Sequence, residues 1–249
     1  MTKMLGYRPF HYKRVQELGE EDFPARVDFC HWILNHPNLA QKILWSDEAT
    51  FSRSKGFNSH NTHFWSIENP RVVRRTNYQH RFSFNVWAGM IGDKLIGPII
   101  LPHRLTGRHY LNFLQNNLRD LLDDVPIETR LEMIFQHDGA PAHYSRQVRN
   151  WLDNNFTGRW IGRGGPINWP ARSPDLNPLD YYLWGNMCNI IYATEIDTPE
   201  ELQRRILAAA GQIREKRFEI LRSTQNIQKR SRLCIQENGN LFEHLSQIN

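Results

Sequence analysis

Cysteine is scarce in this chain, and long apolar runs are absent from its sequence. The 249 residues include three cysteines, Cys30, Cys188 and Cys234, and no Cys-x-x-Cys pair. This pattern argues against a disulfide framework and against a thiolate zinc site. No apolar run reaches the roughly 18–20 residues of a membrane helix, and residues 1–7 lack the apolar stretch of a secretory signal. We therefore expect reduced thiols and a cytosolic or nuclear protein.

The composition is that of a folded domain. Hydrophobic residues make up 40% of the chain and aromatic residues 12%, which is enough for a substantial core. The formal charge of +5 and the pI of about 9.2 permit a polyanionic partner without requiring one. The sequence shows no internal repeat and no low-complexity tract.

The order of predicted elements indicates a mixed α/β layer. Apolar residues recur at helical spacing over residues 21–39, and β-branched and aromatic residues favour strands in the next part of the chain. A loop rich in Gly and Pro over residues 156–178 holds one short strand near residues 159–161. The sequence predicts longer strands at 43–51, 62–67, 82–90, 95–101 and 131–137, and further helices at 106–123, 143–155, 178–192, 200–216 and from 218. An antiparallel start followed by a parallel strand fits this order.

Three aspartates stand where such a fold could bring them together. Asp47 and Asp138 close short apolar runs of strand type, and Asp180 opens a helix. If the first and fourth long strands are neighbours, the first two carboxylates meet at one edge of the sheet. Two divalent cations about 3.5–4 Å apart, held by such carboxylates, can activate a water and stabilise the leaving oxygen of a phosphodiester. The pattern predicts a metal-dependent domain that cuts and joins nucleic acid.

Three blocks of sequence resemble the catalytic blocks of mariner/Tc-type (IS630-like) DNA transposases. They are residues 46–49 (Ser-Asp-Glu-Ala), residues 137–143 (His-Asp-Gly-Ala-Pro-Ala-His) and residues 173–184, which begin Ser-Pro-Asp-Leu-Asn-Pro-Leu-Asp. The likeness covers roughly residues 40–245. Three blocks in the family's order are much more specific than any one of them alone.

The resemblance implies an RNase H-like mixed sheet flanked by helices and a catalytic triad of Asp47, Asp138 and Asp180. It also implies Mg²⁺ or Mn²⁺ as the cofactor, for which we expect two ions, and DNA as the substrate. We further expect a nuclear protein that can form a homodimer. We expect an N-terminal arm and helix over 1–40, the catalytic domain over 41–195, and a C-terminal helical segment over 196–249 packed on it. The expected activity is strand cleavage followed by transfer of a 3′-OH to target DNA.

Two departures from the family leave alternatives open. The interval between Asp138 and Asp180 is longer than the family's usual spacing, and the paired helix-turn-helix modules that read transposon ends are not expected before residue 50. A domesticated, non-catalytic DNA-binding or scaffold protein would keep the fold, but all three acids are present, which argues against it. A general RNase H or exonuclease shares the same carboxylate chemistry.

Several other residues have both a functional and a purely structural interpretation. Asp175 competes with Asp180 as third ligand, but its place before the helix favours an Asx turn. Asn177 and Pro178 look like N-cap and N1, which puts Asp180 at N3. Glu48 is expected on the opposite strand face from Asp47, in a salt bridge or in solvent.

A second group is proposed for DNA contact. Arg159, Arg163 and Arg172 lie in the Gly/Pro-rich loop with Trp160 and Trp169 interleaved. Guanidinium groups and indoles suit phosphate contact and base stacking, although core tryptophans on a solvated loop are the equal alternative. His143 is expected to cap the following helix or to contact a phosphate. Basic groups at 71–75, 216–217 and 229–232 are interpreted as solvated surface charge.

Overall fold

The computed structural model describes residues 17–39, 41–53, 82–243 and 245. The strand predicted at 62–67 and the basic run at 71–75 lie outside these residues. In chain order the elements are α1 (Asp22–Asn35), β1 (Ile43–Ser52), β2 (Ser83–Ile91), β3 (Lys94–Leu101), α2 (Gly107–Asn116), α3 (Leu118–Leu121), α4 (Ile127–Glu132), β4 (Ile134–Gln136), α5 (Arg146–Asn155), β5 (Trp160–Ile161), a 3₁₀ turn (Pro174–Leu176), a π-helical turn (Leu179–Leu183), α6 (Trp184–Ile191), α7 (Pro199–Arg214), α8 (Arg217–Gln225) and α9 (Ile227–Gln236).

The five strands form one mixed sheet in the order β3-β2-β1-β4-β5. β1 pairs antiparallel with β2, and β2 pairs antiparallel with β3. β1 pairs parallel with β4, and β4 pairs parallel with β5. The predicted antiparallel start and later parallel strand are confirmed. β1 and β4 are neighbours, as the site prediction required.

Two apolar cores cover the two faces of the sheet because successive side chains of a strand point in opposite directions. On one face, β1 contributes Ile43, Trp45 and Phe51 to a core shared with α1 and α6–α9. On the other face, Leu44 packs with residues of α2, α3 and α5. The C-terminal helices thus share a core with the sheet, while the domain boundary near residue 195 stays a prediction. Among the described residues, none of the helices is both long and apolar enough to cross a membrane.

Several predicted boundaries are wrong. The strand predicted over 43–51 is confirmed, since β1 runs from Ile43 to Ser52, but Asp47 lies in its middle and does not close it. The strand predicted over 131–137 is only Ile134–Gln136, and Leu131 belongs to α4, where it is 67% exposed. The prediction failed there because it assumed that the apolar residues before β4 were buried.

The helices also differ in detail from the predicted ones. The helix predicted over 106–123 breaks into α2 and α3 at Asn117, and α5 begins at Arg146 rather than at His143. The chain after Phe218 forms two helices, α8 and α9, instead of one. Arg230 of α9 is buried and paired with Glu243, so the basic group at 229–232 is not wholly a solvated helix face.

Candidate active site

Asp47 lies in the middle of β1, opposite Ala88 of β2. Its Oδ2 atom accepts a hydrogen bond of 2.7 Å from the indole Nε1 of Trp184, the first residue of α6. Since odd-numbered residues of β1 face the core that contains Trp184, the alternation of the strand places the carboxylate on this face.

Asp138 follows the end of β4 by two residues. Its Oδ1 atom accepts two hydrogen bonds, from the backbone N–H of Ala140 at 2.9 Å and from His143 Nδ1 at 2.6 Å. The bond from Ala140 forms an Asx turn. This turn directs the chain away from the sheet and leaves Asp138 half-exposed at its edge.

Asp180 lies in the π-helical turn that precedes α6. The bond expected of a cap is present, because Asn177 Oδ1 accepts from the backbone N–H of Leu179 at 3.1 Å, but the turn begins at Leu179 with Pro178 as its N-cap residue. Asn177 Nδ2 also donates to the carbonyl of Ser46 at 3.3 Å, which attaches the start of this helix to β1 beside Asp47. Single π turns are frequent at functional sites.

Asp47 and Asp180 interact directly and hold protons more tightly than ordinary aspartates. Burial raises the pKa of Asp47 well above its usual value, and the charges of Asp180 and Glu48 add to this. Asp180 loses part of its hydration to neighbouring atoms, and this effect, followed by the negative charge of Asp138, raises the pKa of Asp180 to about 7. The hydrogen bond between Asp180 and Asp47 acts in the opposite direction. Asp180 keeps an exposed surface, so solvent moderates this shift. The raised pKa values show that negative charge on these two carboxyls is unfavourable here without a positive partner.

The three side chains are of the type that a hard divalent cation prefers, although they do not form a complete coordination site. All three side chains offer carboxylate oxygen, which Mg²⁺ and Mn²⁺ prefer. Within the described ranges, no three Asp, Glu, His or Cys side chains are close enough together to enclose an ion as they stand. Asp47, Asp138 and Asp180 would hold such an ion, which would supply positive charge to these carboxylates.

Behind Asp138, a buried histidine separates two acids. His143 lies between Asp138 and Glu48, with Nε2 at 3.3 Å from Glu48 Oε1. Burial alone would lower the pKa of His143, but the charge of Glu48 and the hydrogen bond to Asp138 raise it to about 10. The pKa of Asp138 responds in the opposite sense: burial would raise it, and the hydrogen bond and charge of His143 lower it below its usual value.

Comparison with known proteins identifies the family. The sequence model of the DDE superfamily endonuclease matches residues 42–203, which is more than half of the chain. This chain belongs to the DDE endonuclease superfamily. The matched region contains Asp47, Asp138 and Asp180.

Curated relatives of this DDE protein are transposases. The Tc3 transposase of Caenorhabditis elegans is 27% identical over 154 residues, which is 61% of this chain and 43% of the relative. The Tc1 transposase of the same species is 28% identical over 169 residues, or 66% of this chain and 52% of the relative. The chain thus spans about half the length of these relatives.

Solved structures show the same RNase H-like fold. A pre-cleavage Mos1 transpososome superposes with a TM-score of 0.78 at 21% identity, covering 97% of this chain and 70% of that one. The catalytic domain of Mos1 mariner transposase superposes with a TM-score of 0.69 at 21% identity, covering 92% of this chain and 100% of that one. The predicted fold class is confirmed.

Other predicted residues of the DDE domain have structural partners. Asp175 forms a two-pronged ion pair with Arg26 of α1 at 2.8 and 2.6 Å, and both side chains are buried. Asp175 is thus held by Arg26 rather than by an Asx turn. Glu48 lies on the opposite face of β1 from Asp47, in an ion pair, as predicted.

The predicted DNA contact of His143 is wrong, and so is its predicted role as a helix cap. The side chain is 2% exposed, out of reach of a phosphate, and Ser145 stands at the N-cap of α5. Both ring nitrogens face carboxylates, which local sequence could not reveal.

The loop arginines divide into three environments. Arg159 donates to the carbonyl of Met133 at 2.8 Å, at the opposite end of β4 from Asp138. Arg172 is paired with Glu21 and Asp22 at the start of α1. Arg163 is exposed and lies against Gly139, the residue after Asp138. The interleaved Trp160 and Trp169 are core residues, so base stacking on these indoles is excluded in this structure.

Sequence reasoning missed three residues beside the predicted acids. Trp184 holds Asp47, and its place four residues after Asp180 was the only local signal for it. Tyr144 is exposed, and the guanidinium carbons of Arg149 and Arg163 lie 4.5 and 4.4 Å from the centre of its ring. This group of Tyr144, Arg149 and Arg163, called the arginine–tyrosine cluster below, combines residues from two separate parts of the chain.

Proposed function

We propose that this chain is the catalytic part of a DNA transposase that cuts a DNA strand and transfers the resulting 3′-OH to a second DNA. The observation that carries the proposal is that Asp180 forms a hydrogen bond with Asp47 and lies near enough to Asp138 for its charge to raise the pKa of Asp180, beside the neighbouring strands β1 and β4. Family membership and the transposase relatives support the same activity.

Divalent cations are the cofactor that this oxygen site suits. Mos1 structures are described as complexes with Mn and with Mg, which supports the same choice here. We propose that the site binds two ions, because carboxylate sites that catalyse in-line phosphoryl transfer commonly use two. When bound, two ions supply charge stabilisation for the attacking and leaving oxygens. The protein then has to hold the three carboxylates and needs neither a covalent intermediate nor a histidine base.

DNA is the proposed substrate, and the arginine–tyrosine cluster is the proposed contact beside the site. Arg163 is exposed next to Asp138, and Tyr144 keeps it and Arg149 on one platform. Paired arginines on an aromatic ring present a fixed positive charge to a phosphate backbone. Arg172 and Arg159 are engaged within the protein and are left out of this surface. A homodimer belongs to the same proposal, supported by the Mos1 paired-end complex with a transposon end, and nuclear location is proposed from the DNA substrate alone.

The test uses the purified chain, supercoiled plasmid and a choice of cation. We expect nicking with Mg²⁺ or Mn²⁺ and none with Ca²⁺, whose looser coordination positions the nucleophile poorly. Asp47→Asn or Asp138→Asn should reduce the rate by at least about 100-fold, whereas Asp28→Asn, on the exposed side of α1, should match the wild type. A short duplex with a free 3′-OH tests the joining step.

The non-catalytic alternative predicts a different result in the same experiment. A domesticated DNA-binding protein would bind the plasmid without nicking it under any cation, and Asp138→Asn would change nothing. A general nuclease would nick but would not join the 3′-OH of the duplex to the plasmid. Nicking that is unaffected by both aspartate substitutions would refute the proposed site.

A further inference from the structure

A buried polar unit lies directly behind Asp138. His143 is 2% exposed and stands between two acids, with Nδ1 at 2.6 Å from Asp138 Oδ1 and Nε2 at 3.3 Å from Glu48 Oε1. Glu48 comes from β1 and faces away from Asp47, so it cannot share an ion with the triad. A chain of carboxylate, imidazole and carboxylate therefore connects the two central strands beneath the site.

The orientation of the imidazole is fixed by aromatic neighbours. The ring of His137 is stacked on it with centroids 4.9 Å apart and planes 12° apart, and the ring of Tyr110 lies 4.2 Å away. These contacts leave little rotational freedom, so Nδ1 stays aimed at Asp138. Because a carboxylate can only accept, Nδ1 is the donor in this bond.

The two carboxylate oxygens of Asp138 have different hydrogen-bond partners. Oδ1 already accepts from His143 and from the backbone of Ala140. Within the part of the chain that the structure describes, Oδ2 has no such donor. A carboxylate held in this way has one oxygen committed to the protein and one to offer elsewhere.

We propose that His143, backed by Glu48, is a positioning residue that holds Asp138 so that Oδ2 alone is presented to a divalent cation. This inference rests on the proposed function, since it takes Asp138 as a metal ligand. Glu48 acts through His143 by its charge, because its Oε1 atom lies 3.3 Å from the far nitrogen of the ring without forming an aligned hydrogen bond. Partners that orient a ligand in this way commonly change metal affinity by about 10–100-fold when removed.

The decisive variants replace His143 with residues that either keep or remove the hydrogen-bond donor to Asp138. Asparagine can place its amide nitrogen near the site of Nδ1, glutamine places it near Nε2, and leucine removes both. His31→Leu, on the exposed side of α1, is the matched control. Mn²⁺ affinity measured by calorimetry is the first readout, and the thermal midpoint in EDTA measures folding separately.

We expect His143→Leu to weaken Mn²⁺ binding by about 10–100-fold. We expect His143→Asn to stay within about threefold of the wild type and His143→Gln to resemble the leucine variant, since only asparagine restores the bond to Asp138. If the leucine variant does not fold, the comparison of asparagine with glutamine decides alone. Equal Mn²⁺ affinity in those two variants would overturn the inference, because a merely structural role does not distinguish them.

A double-mutant cycle tests the part played by Glu48. Glu48→Leu should weaken Mn²⁺ binding, and adding it to His143→Leu should cause no further loss, because Glu48 acts through the ring. Additive losses would show that Glu48 acts independently and would overturn the pairing.

Comparing the Mn²⁺ affinity of the wild type with that of Asp138→Asn tests the proposed function separately from the positioning role of His143. If Asp138→Asn binds Mn²⁺ as the wild type does, the proposed metal site itself fails. If binding depends on Asp138 but all His143 variants match the wild type, only the positioning role fails.

Discussion

Trp184 donates its indole N–H to Asp47 Oδ2 at 2.7 Å, which joins the first residue of α6 to the middle of β1. The same helix begins with the π turn that carries Asp180. One side chain therefore sets the distance between two of the three acids. It also leaves the other oxygen of Asp47 for Asp180 or for a cation.

Replacing this indole should weaken metal binding more than it weakens the fold. Trp184→Phe keeps a large ring against Phe51, whose centroid is 6.0 Å away, but removes the donor to Asp47. We expect Mn²⁺ affinity to fall about tenfold. Calorimetry would measure this, and Trp151→Phe on α5 serves as the control. Unchanged affinity in Trp184→Phe would show that Asp47 does not need this bond.

Asp175 and Asp180 should respond to the same substitution in opposite ways. Asp175→Asn leaves the fully buried guanidinium of Arg26 without a charged partner, and we expect a loss of about 3–5 kcal/mol in the free energy of unfolding. Asp180→Asn should abolish nicking with little loss of stability. Urea unfolding and plasmid nicking measure the two effects.

The double variant Arg26→Met/Asp175→Leu provides the matched control for that pair. An apolar pair of similar volume should recover much of the lost stability. If Asp175→Asn instead removed activity in a fully folded protein while Asp180→Asn remained active, the third ligand would have been assigned to the wrong aspartate.

Metal-free stability should depend on pH through Asp180. The folded-state pKa of Asp180 is raised to about 7 from 3.8, so its favourable contribution is present below pH 4 and is lost as the pH rises through 7. Asp180→Asn removes this loss. Because Asp180 is exposed, we expect only about 1 kcal/mol at pH 8, or roughly 2–4 °C in the thermal midpoint.

Thermal melting in EDTA at pH 5 and pH 8 tests this sign. The gain of Asp180→Asn over the wild type should be larger at pH 8 than at pH 5, and added Mn²⁺ should reverse it by stabilising the wild type. The same gain at both pH values would contradict the raised pKa.

DNA affinity should depend on the arginine–tyrosine cluster through charge alone. Arg163→Ala and Arg149→Ala should each reduce the slope of log affinity against log salt by about 1, because each phosphate contact releases a counterion. Fluorescence anisotropy with a labelled duplex at several salt concentrations measures the slope. Arg172→Ala is the control and should leave it unchanged, since Arg172 is paired with Asp22. If the slope of log affinity against log salt fell only in Arg172→Ala, the DNA-binding surface would have to lie near Arg172 and not at the arginine–tyrosine cluster.

Gly162 should tolerate no side chain, because the backbone passes close to His137. A Cβ atom at Gly162 would lie 2.4 Å from the His137 ring, and we expect Gly162→Ala to cost about 1–3 kcal/mol. Gly211, in the interior of α7, has open space around it. Gly211→Ala should therefore stabilise the protein by about 0.5–1 kcal/mol. Chemical denaturation of both variants makes the comparison, and equal effects would contradict the close approach.

The sequence by itself predicted the strands of the antiparallel half, the mixed sheet and the three acids. β-branched and aromatic residues are dense in β1, β2 and β3, and this information is local. The cap at Asn177 was equally local, because its partner is only two residues away. The resemblance to the transposase blocks then selected Asp180 over Asp175.

Only the tertiary structure decided which partner each buried polar side chain has. Arg26 is 149 residues from Asp175, Trp184 is 137 residues from Asp47, and Arg172 is 150 residues from Asp22. Such pairs depend on how helices pack across the sheet, and no periodic pattern in the chain encodes them. His143 was assigned to DNA for the same reason: its sequence neighbours are polar and small, whereas the sheet, Tyr110 and Glu48 that bury it come from other parts of the chain.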